Sequence, residues 1–174
     1  MDAALVILRL VVGLYLTAHG AQKLFGWFEG HGFSATQGFV GSMLGYRPAW
    51  LWTLAVGLAE FAGGLLFALG LLSPLGAIAL AAAMLSATLV PHWAKGPFGT
   101  NGGYELTLTN LVVAIAVGLA GPGAYSLDQW LGISVPAPVS EVLAVVAVVG
   151  VLVGLVSRRA VASQPQTQTQ AHAA

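Results

Sequence analysis

Long apolar stretches separated by short turns make up most of this sequence. A membrane-spanning helix needs about 20 mostly apolar residues to cross a hydrocarbon core of roughly 30 Å. Five stretches come close to that length, and we predict spanning helices over residues 3–24, 50–72, 75–93, 104–120 and 139–156. The pattern predicts an all-α fold, namely a polytopic membrane helix bundle with a four-helix core and a fifth transmembrane helix.

The residues around these stretches carry local signals. Ser126 and Gln129 have the spacing of a capping box, so we predict a short helix over residues 126–131. Residues 29–46 are too polar to span, and we expect them at the membrane interface or folded back over the bundle. The first stretch is predicted to be an uncleaved helix, because no Lys or Arg precedes it and Arg9 interrupts what would be the apolar region of a signal peptide.

The same pattern divides the chain into three parts. We predict a four-helix membrane bundle over residues 1–131 and an additional C-terminal transmembrane helix within residues 132–159. The last helix contains Gly150 and Gly154, whose G-x-x-x-G spacing is typical of close helix packing. Residues 160–174 are polar and lack apolar periodicity, which predicts a disordered tail.

The composition agrees with a membrane protein and excludes several functions. Hydrophobic residues make up 57% of the chain and charged residues only 7%, with a mean hydropathy of +0.86. Soluble domains carry about 25% charged residues. Six Lys and Arg balance six Asp and Glu, so no basic excess supports nucleic-acid binding. The absence of cysteine excludes disulfides, thiolate zinc sites and cysteine-ligated iron–sulfur clusters.

The distribution of positive charge predicts the orientation. With five spans, the loops after the first and third helices lie on the same side as the C-terminus. That side carries Lys23, Arg47, Lys95, Arg158 and Arg159. By the positive-inside rule we expect this side to be cytoplasmic and the N-terminus to lie outside. We expect the membrane to be the plasma membrane of a bacterium.

Ionisable side chains within the predicted spans are the candidate functional residues. A charged side chain at the bilayer centre costs about 2.5 to 3.5 kcal/mol on insertion scales, so such residues mark structure or function. The candidates are Arg9, His19, Lys23, Glu60, His92 and Glu105. His19 and Lys23 lie one helical turn apart on one face, and Glu60 falls near the bilayer midplane. We predict a buried polar cluster in the cytoplasmic half of the bundle, with Glu60 at its floor.

These residue types suit the headgroup of a quinone. A quinone needs hydrogen-bond donors at its carbonyl oxygens, a protonatable neighbour and an apolar channel for its tail. The candidate catalytic residues are Glu60, His19 and Glu105, with the two glutamates exchanging protons. The candidate ligand-binding residues are Arg9, Lys23 and His92, with His19 and His92 donating hydrogen bonds and Lys23 or Arg9 offsetting charge.

Other interpretations of these residues stay open. Two histidines could ligate haem, but the pattern is not specific and we disfavour it. A metal site lacks the support of an E-x-x-H pair, and we predict none. Glu60 could instead pair with Arg9 or His19 and fix the packing of the helices.

The ordered motifs of this chain resemble those of the DoxX/DoxD family of small membrane proteins. They include R-L-x-x-G at residues 9–13, H-G-x-x-K-L at 19–24, E-x-x-G-G-x-x-x-x-x-G at 60–70 and G-P-G-x-Y-S-L-D at 121–128. The resemblance runs over most of residues 5–130 and extends to His92 and Glu105. It implies a compact four-helix membrane bundle associated with membrane redox systems, including quinone-linked thiosulfate oxidation and redox-stress complexes.

Three functions follow as hypotheses. The first is a quinone-linked redox component, or a subunit of a membrane oxidoreductase system. The second is a non-catalytic accessory or scaffold subunit held in a membrane complex by its partners. The third is transport of protons or a small solute, which five spans without an internal repeat argue against, although a homo-oligomer could provide a path. The expected partners are the lipid bilayer, a quinone, partner subunits and further copies of this chain.

Overall fold

The computed structural model describes residues 1–159, which form an all-helical protein without strands. The predicted disordered tail, residues 160–174, lies outside the described residues. The α-helices of the described part are α1 Asp2–Phe25, α2 Gly32–Gly38, α3 Ala49–Leu69, α4 Leu75–Ala87, α5 Glu105–Ala120, α6 Leu127–Leu131 and α7 Ala137–Ser157. A π-helical turn, Phe39–Met43, follows α2. A second π-helical turn, Thr88–His92, and a 3-10 turn, Trp93–Lys95, continue α4.

The helices confirm an integral membrane bundle. Among the described residues, four helical segments are long and apolar enough to cross a membrane: Asp2–Phe25, Ala49–Leu69, Leu75–Lys95 and Ala137–Ser157. The remaining predicted span is the shorter apolar helix α5, whose 16 residues cover about 24 Å, less than the hydrocarbon thickness. The second span ends at Leu69, three residues sooner than predicted, because Gly70 adopts a left-handed conformation with φ 61°.

Glycines bring α1 and α3 into close contact. Gly13 and Gly20 on α1, and Gly57 and Gly64 on α3, are each seven residues apart, so each pair lies on one face of its helix. A Cβ atom built on Gly20 would lie 2.7 Å from the Phe61 Cα, and one on Gly64 would lie 2.7 Å from the Gly13 carbonyl oxygen. Only glycine permits this backbone approach at Gly13, Gly20 and Gly64.

Replacing Gly20 with valine is expected to lower the free energy of unfolding by about 3 kcal/mol, the upper range of the cost of overpacking. The new side chain would meet backbone atoms of α3, which cannot rotate away. Thermal unfolding in detergent micelles measures the effect. Gly150→Val on α7 is the matched control, because a Cβ at Gly150 meets nothing within 4 Å. Equal midpoints for the two variants would contradict the close α1–α3 packing.

The hydrophobic core lies among α1, α3, α4 and α5, as expected for a four-helix bundle. Its buried members are Val12, Leu16, Phe67, Ala77, Leu80, Ala83, Met84, Ala114 and Val117. The last of the four long helices, α7, packs along α4 and keeps most of its valines and leucines exposed. This exposed face is apolar, as expected for a helix that contacts lipid.

The C-terminal end of α7 is tied to the loop that precedes α3. Arg158 Nε donates to the Leu44 carbonyl oxygen at 2.7 Å, and the Arg159 N–H donates to the Gly45 carbonyl oxygen at 2.9 Å. The packing role predicted for two glycines holds only for Gly154, where an added Cβ would lie 3.1 Å from the Trp52 ring. The division of the chain after residue 131 stays a prediction, although α7 is an integral part of the described bundle.

Candidate functional site

A cavity of about 740 Å³ lies among α1, α3, α4, α5 and α7. Its volume falls within the range of roughly 300 to 1,000 Å³ that small-molecule sites occupy. Alanines line the cavity from three helices, including Ala55 and Ala59 on α3, Ala82 and Ala83 on α4, and Ala147 on α7. Methyl groups are too short to fill the space between the helices, so small side chains on three neighbouring helices leave an apolar chamber.

Four of the six predicted site residues line this cavity: His19, Lys23, Glu60 and His92. His19 and Lys23 reach it from one face of α1, together with Tyr15, because these residues are spaced four apart. Within residues 1–159, no three His, Asp or Glu side chains group together as they would around a metal ion. The structure therefore brings most of the predicted polar residues to one apolar chamber.

Lys23 and Glu60 form an ion pair in the cavity wall. The Lys23 Nζ donates to Oε2 of Glu60. The Glu60 side chain is 4% exposed, whereas that of Lys23 is 29% exposed. The alternative that Glu60 pairs with Arg9 or His19 is wrong, because the flexible side chain of Lys23 reaches Glu60 from the neighbouring helix. The pair neutralises a carboxylate that would otherwise be buried without compensation.

His92 reaches the cavity from the π-helical turn that continues α4. Pro91 lacks an N–H for the regular helical hydrogen bond, which favours the wider turn at this point. The His92 Nδ1 lies 2.6 Å from the Gly102 carbonyl oxygen. A carbonyl oxygen only accepts, so Nδ1 carries the proton, and Nε2 of the neutral ring is left as a hydrogen-bond acceptor. The prediction has His92 donating a hydrogen bond to a ligand, whereas this tautomer leaves Nε2 as an acceptor.

His19 is half-buried, and its ring packs against an aromatic neighbour. The ring centroids of His19 and Tyr15 are 4.6 Å apart in an edge-to-face arrangement. This contact orients the imidazole toward the chamber without a charged partner. Either ring nitrogen of His19 could carry the donor proton, and its hydrogen bond to a ligand stays a prediction.

The cavity also contains polar residues that are absent from the predicted set. Thr107 and Asn110 line it from α5, and Asn110 is only 6% exposed. The signal for Asn110 is an amide in the middle of an apolar stretch, where a polar side chain needs a partner or a ligand. Asn110 carries no charge, and the predicted site is built from ionisable side chains.

Tyr46 lies at the edge of the cavity and is buried. Burial raises the pKa of its phenol, and the charge of Arg158, which lies 5.7 Å above the ring, acts in the opposite direction. The phenol is therefore a neutral O–H donor at neutral pH. No sequence signal places Tyr46 here, because a loop carries it over the end of the bundle.

Glu105 does not line the cavity. It begins α5 and is exposed, contrary to the expectation that it points into the bundle. The helical period explains the difference, because the inner face of α5 carries Asn110, Ala114 and Val117. Glu105 shares the outer face with Leu108 and Val112, which are exposed. Its predicted role in proton exchange has no counterpart in the chamber.

Arg9 lies toward the opposite end of the bundle. Its guanidinium is buried and donates to the Tyr125 carbonyl oxygen at 2.6 Å and to that of Pro122. Arg9 and Lys23 point in similar directions, but fourteen residues of α1 separate them by about 21 Å. The arginine therefore holds the loop that follows α5, and it is not among the residues that line the cavity.

Asp128 completes this second polar region. Its carboxylate accepts from the backbone N–H groups of Leu72 and Ser73, each at 2.7 Å. The Ser126 hydroxyl accepts from the N–H of Gln129 at 3.2 Å, which confirms the predicted cap of the short helix α6. Together with Arg9, these contacts attach the loop before α6 to the turn between α3 and α4.

Comparison with known proteins gives a family for this fold. The DoxX family model matches residues 4–93, more than half of the chain. No curated protein and no solved structure matches the chain. The matched region includes His19, Lys23, Glu60 and His92, whereas the cavity walls on α5 and α7 lie beyond it. The chain is therefore an integral membrane protein that belongs to the DoxX family.

Proposed function

We propose that this protein is a quinone-linked redox component of the membrane, acting alone or as a subunit of a membrane oxidoreductase system. The observation that carries the proposal is the gathering of His19, Lys23, Glu60 and His92 around one apolar cavity. A chamber with apolar walls and a few convergent polar groups is typical of a small-molecule site. A quinone matches this cavity, because its polar ring can bind the polar groups and its long hydrocarbon tail can contact the apolar walls.

The polar groups provide both donors and acceptors for the ring. Lys23 and His19 donate hydrogen bonds to the carbonyl oxygens of a quinone. Nε2 of His92 and the Glu60 carboxylate accept hydrogen bonds from the hydroxyl groups of the reduced form. The Lys23–Glu60 pair lets one wall serve both forms, because the ammonium donates and the carboxylate accepts.

In the proposed reaction, side chains of this protein accept the protons that the quinol releases. Oxidation of a bound quinol releases two electrons and two protons, and a redox partner takes the electrons. Nε2 of His92 takes one proton, since Gly102 holds Nδ1 protonated. Glu60 takes the other proton when the Lys23 ammonium rotates away from it toward water. The partial exposure of Lys23 permits this rotation. In this reaction Arg9 has a structural role and Glu105 has none.

We also infer that the end of the bundle near Lys23 faces the cytoplasm of a bacterium. The contact of Arg158 with Leu44 brings the basic end of α7 to the loop that follows α2. The basic side of the bundle then holds the basic residues at the ends of α1 and α4, in the loop before α3 and at the C-terminal end of α7, as the positive-inside rule requires. These residues are Lys23, Arg47, Lys95, Arg158 and Arg159.

Cysteine labelling tests the orientation, since the chain has no native cysteine. Glu29→Cys and Ala124→Cys place single thiols at exposed positions of opposite ends. In intact cells, a membrane-impermeant maleimide is expected to label Ala124→Cys and not Glu29→Cys. Permeabilised cells serve as the control, because both thiols should then react. The reverse pattern in intact cells would invert the orientation.

Native mass spectrometry of the protein, gently extracted from its own membrane, tests the proposed function. We expect a bound quinone or quinol mass, which added decylubiquinone displaces. A chain that carries no small molecule and rejects decylubiquinone, but retains stoichiometric partner proteins, would overturn the quinone proposal. That outcome would favour the accessory-subunit hypothesis.

A further inference from the structure

We propose that α7 forms the wall of the cavity that selects the ligand's hydrocarbon tail, and that Gly150 is its specificity-determining residue. This inference rests on the proposed quinone function, because it concerns the tail of the same ligand. It assigns a role to a helix that lies beyond the family match at residues 4–93. The ligand class is an amphiphile with a hydrogen-bonding head and an unbranched or isoprenoid tail.

Two glycines on the same face of α7 have different surroundings. Both Gly150 and Gly154 line the cavity. A Cβ at Gly154 would lie 3.1 Å from the Trp52 ring and 3.3 Å from the Tyr46 ring. A Cβ at Gly150 would meet nothing within 4 Å. The helix therefore contacts the bundle closely at Gly154, whereas one turn earlier it leaves open space beside Gly150.

The separation at Gly150 persists because α7 is held at its end. Arg158 donates to Leu44 O, and its guanidinium lies 5.7 Å from the centre of the Tyr46 ring. The backbone of Arg159 makes a further hydrogen bond to Gly45. These contacts fix the helix beside the loop, so it cannot slide inward to close the space without losing them.

The space beside Gly150 is better suited to a hydrocarbon tail than to a polar ring. Ala147 and Val151 flank it on α7, and Ala83 lines the chamber from the neighbouring α4. The groups that bind a polar ring, Lys23 and Glu60, come from α1 and α3. A ring bound by those groups directs its tail toward α7. Each methylene of the tail that leaves water there contributes about 0.8 kcal/mol to the binding free energy.

The test compares Gly150→Phe with Val149→Phe in the full chain reconstituted in lipid nanodiscs. Val149 is the neighbouring residue, and its side chain is exposed and faces away from the chamber. The probes are decylubiquinone and the same ring without a tail. We expect Gly150→Phe to weaken decylubiquinone binding at least tenfold while changing tailless-ring binding less than threefold. Val149→Phe should change neither. Unaltered decylubiquinone binding in Gly150→Phe would overturn the role of Gly150.

A second readout separates this inference from the proposed function. A photoreactive alkyl diazirine without a quinone ring is expected to label the α4 and α7 residues of the chamber in the wild type, and labelling should fall at least fivefold in Gly150→Phe. If neither quinone binds the wild type but this loss occurs, the quinone proposal fails and the tail-selecting wall stands, with a lipid as occupant. Equal labelling of the two proteins would overturn the wall whatever the quinones do.

Discussion

Lys23→Ala is expected to lower the free energy of unfolding by about 3 kcal/mol, the lower end of the cost of breaking a buried ion pair. The substitution leaves the Glu60 carboxylate, whose side chain is 4% exposed, without its partner. Glu60→Ala lowers the free energy of unfolding less, because Lys23 is 29% exposed and can turn its ammonium toward water. We therefore expect Lys23→Ala to destabilise the bundle more than Glu60→Ala does.

Unfolding in detergent with increasing dodecyl sulfate measures these differences. Lys95→Ala is the matched control, because Lys95 is an exposed lysine at the cavity edge that makes no ion pair within the described part of the chain. It should cost less than about 0.5 kcal/mol. The double variant Lys23→Met with Glu60→Leu should recover most of the lost stability, since no buried charge remains. A Lys23→Ala protein as stable as Lys95→Ala would show that the ion pair contributes nothing.

Glu60→Gln is expected to weaken quinol binding by about tenfold to a hundredfold while the protein stays folded. The amide keeps the shape of the side chain but replaces a charged acceptor, and a hydrogen bond to a charged group contributes about 1.5 to 3 kcal/mol. The oxidised ring offers no hydroxyl for Glu60 to accept from, so quinone binding should fall less. Anaerobic titration of nanodisc samples with decylubiquinol and decylubiquinone measures both affinities.

Glu105→Gln provides the control for this experiment, because the same chemical change occurs at a residue outside the cavity. Its quinol affinity should match that of the wild type. Equal affinities for wild type and Glu60→Gln would contradict a ligand role for Glu60. Equal losses in both variants would point to a general effect of charge on the membrane surface, and would also contradict that role.

The fold follows closely from the order of apolar and polar residues. Each predicted span corresponds to a helix, since hydrocarbon accepts a backbone only when its N–H and C=O groups bond to each other. Ser126 caps α6 as its spacing predicts, because the capping hydrogen bond joins residues three apart in the chain. Such local interactions depend on neighbours in sequence, so a single sequence carries them.

The candidate site could be predicted in part for the same reason. His19 and Lys23 share a face through the helical period, and a carboxylate such as Glu60 within an apolar stretch marks an interior position. The choice of Lys23 as partner of Glu60 depends on how α1 and α3 meet, and that contact follows from the glycine faces of the two helices. The exposed position of Glu105 depends likewise on the rotation of α5 about its axis.

Sequence alone thus established the helices, their membrane environment, the family resemblance and four of the five His, Lys and Glu side chains that line the cavity. The assembled bundle was needed to place Arg9 with the loop at residues 121–128, to bring Tyr46 over the chamber and to leave Gly150 facing open space. The physical reason is the distance along the chain over which each interaction acts. Helix formation and burial of ionisable groups act through local pattern, whereas a cavity and its ion pair exist only where distant helices approach each other.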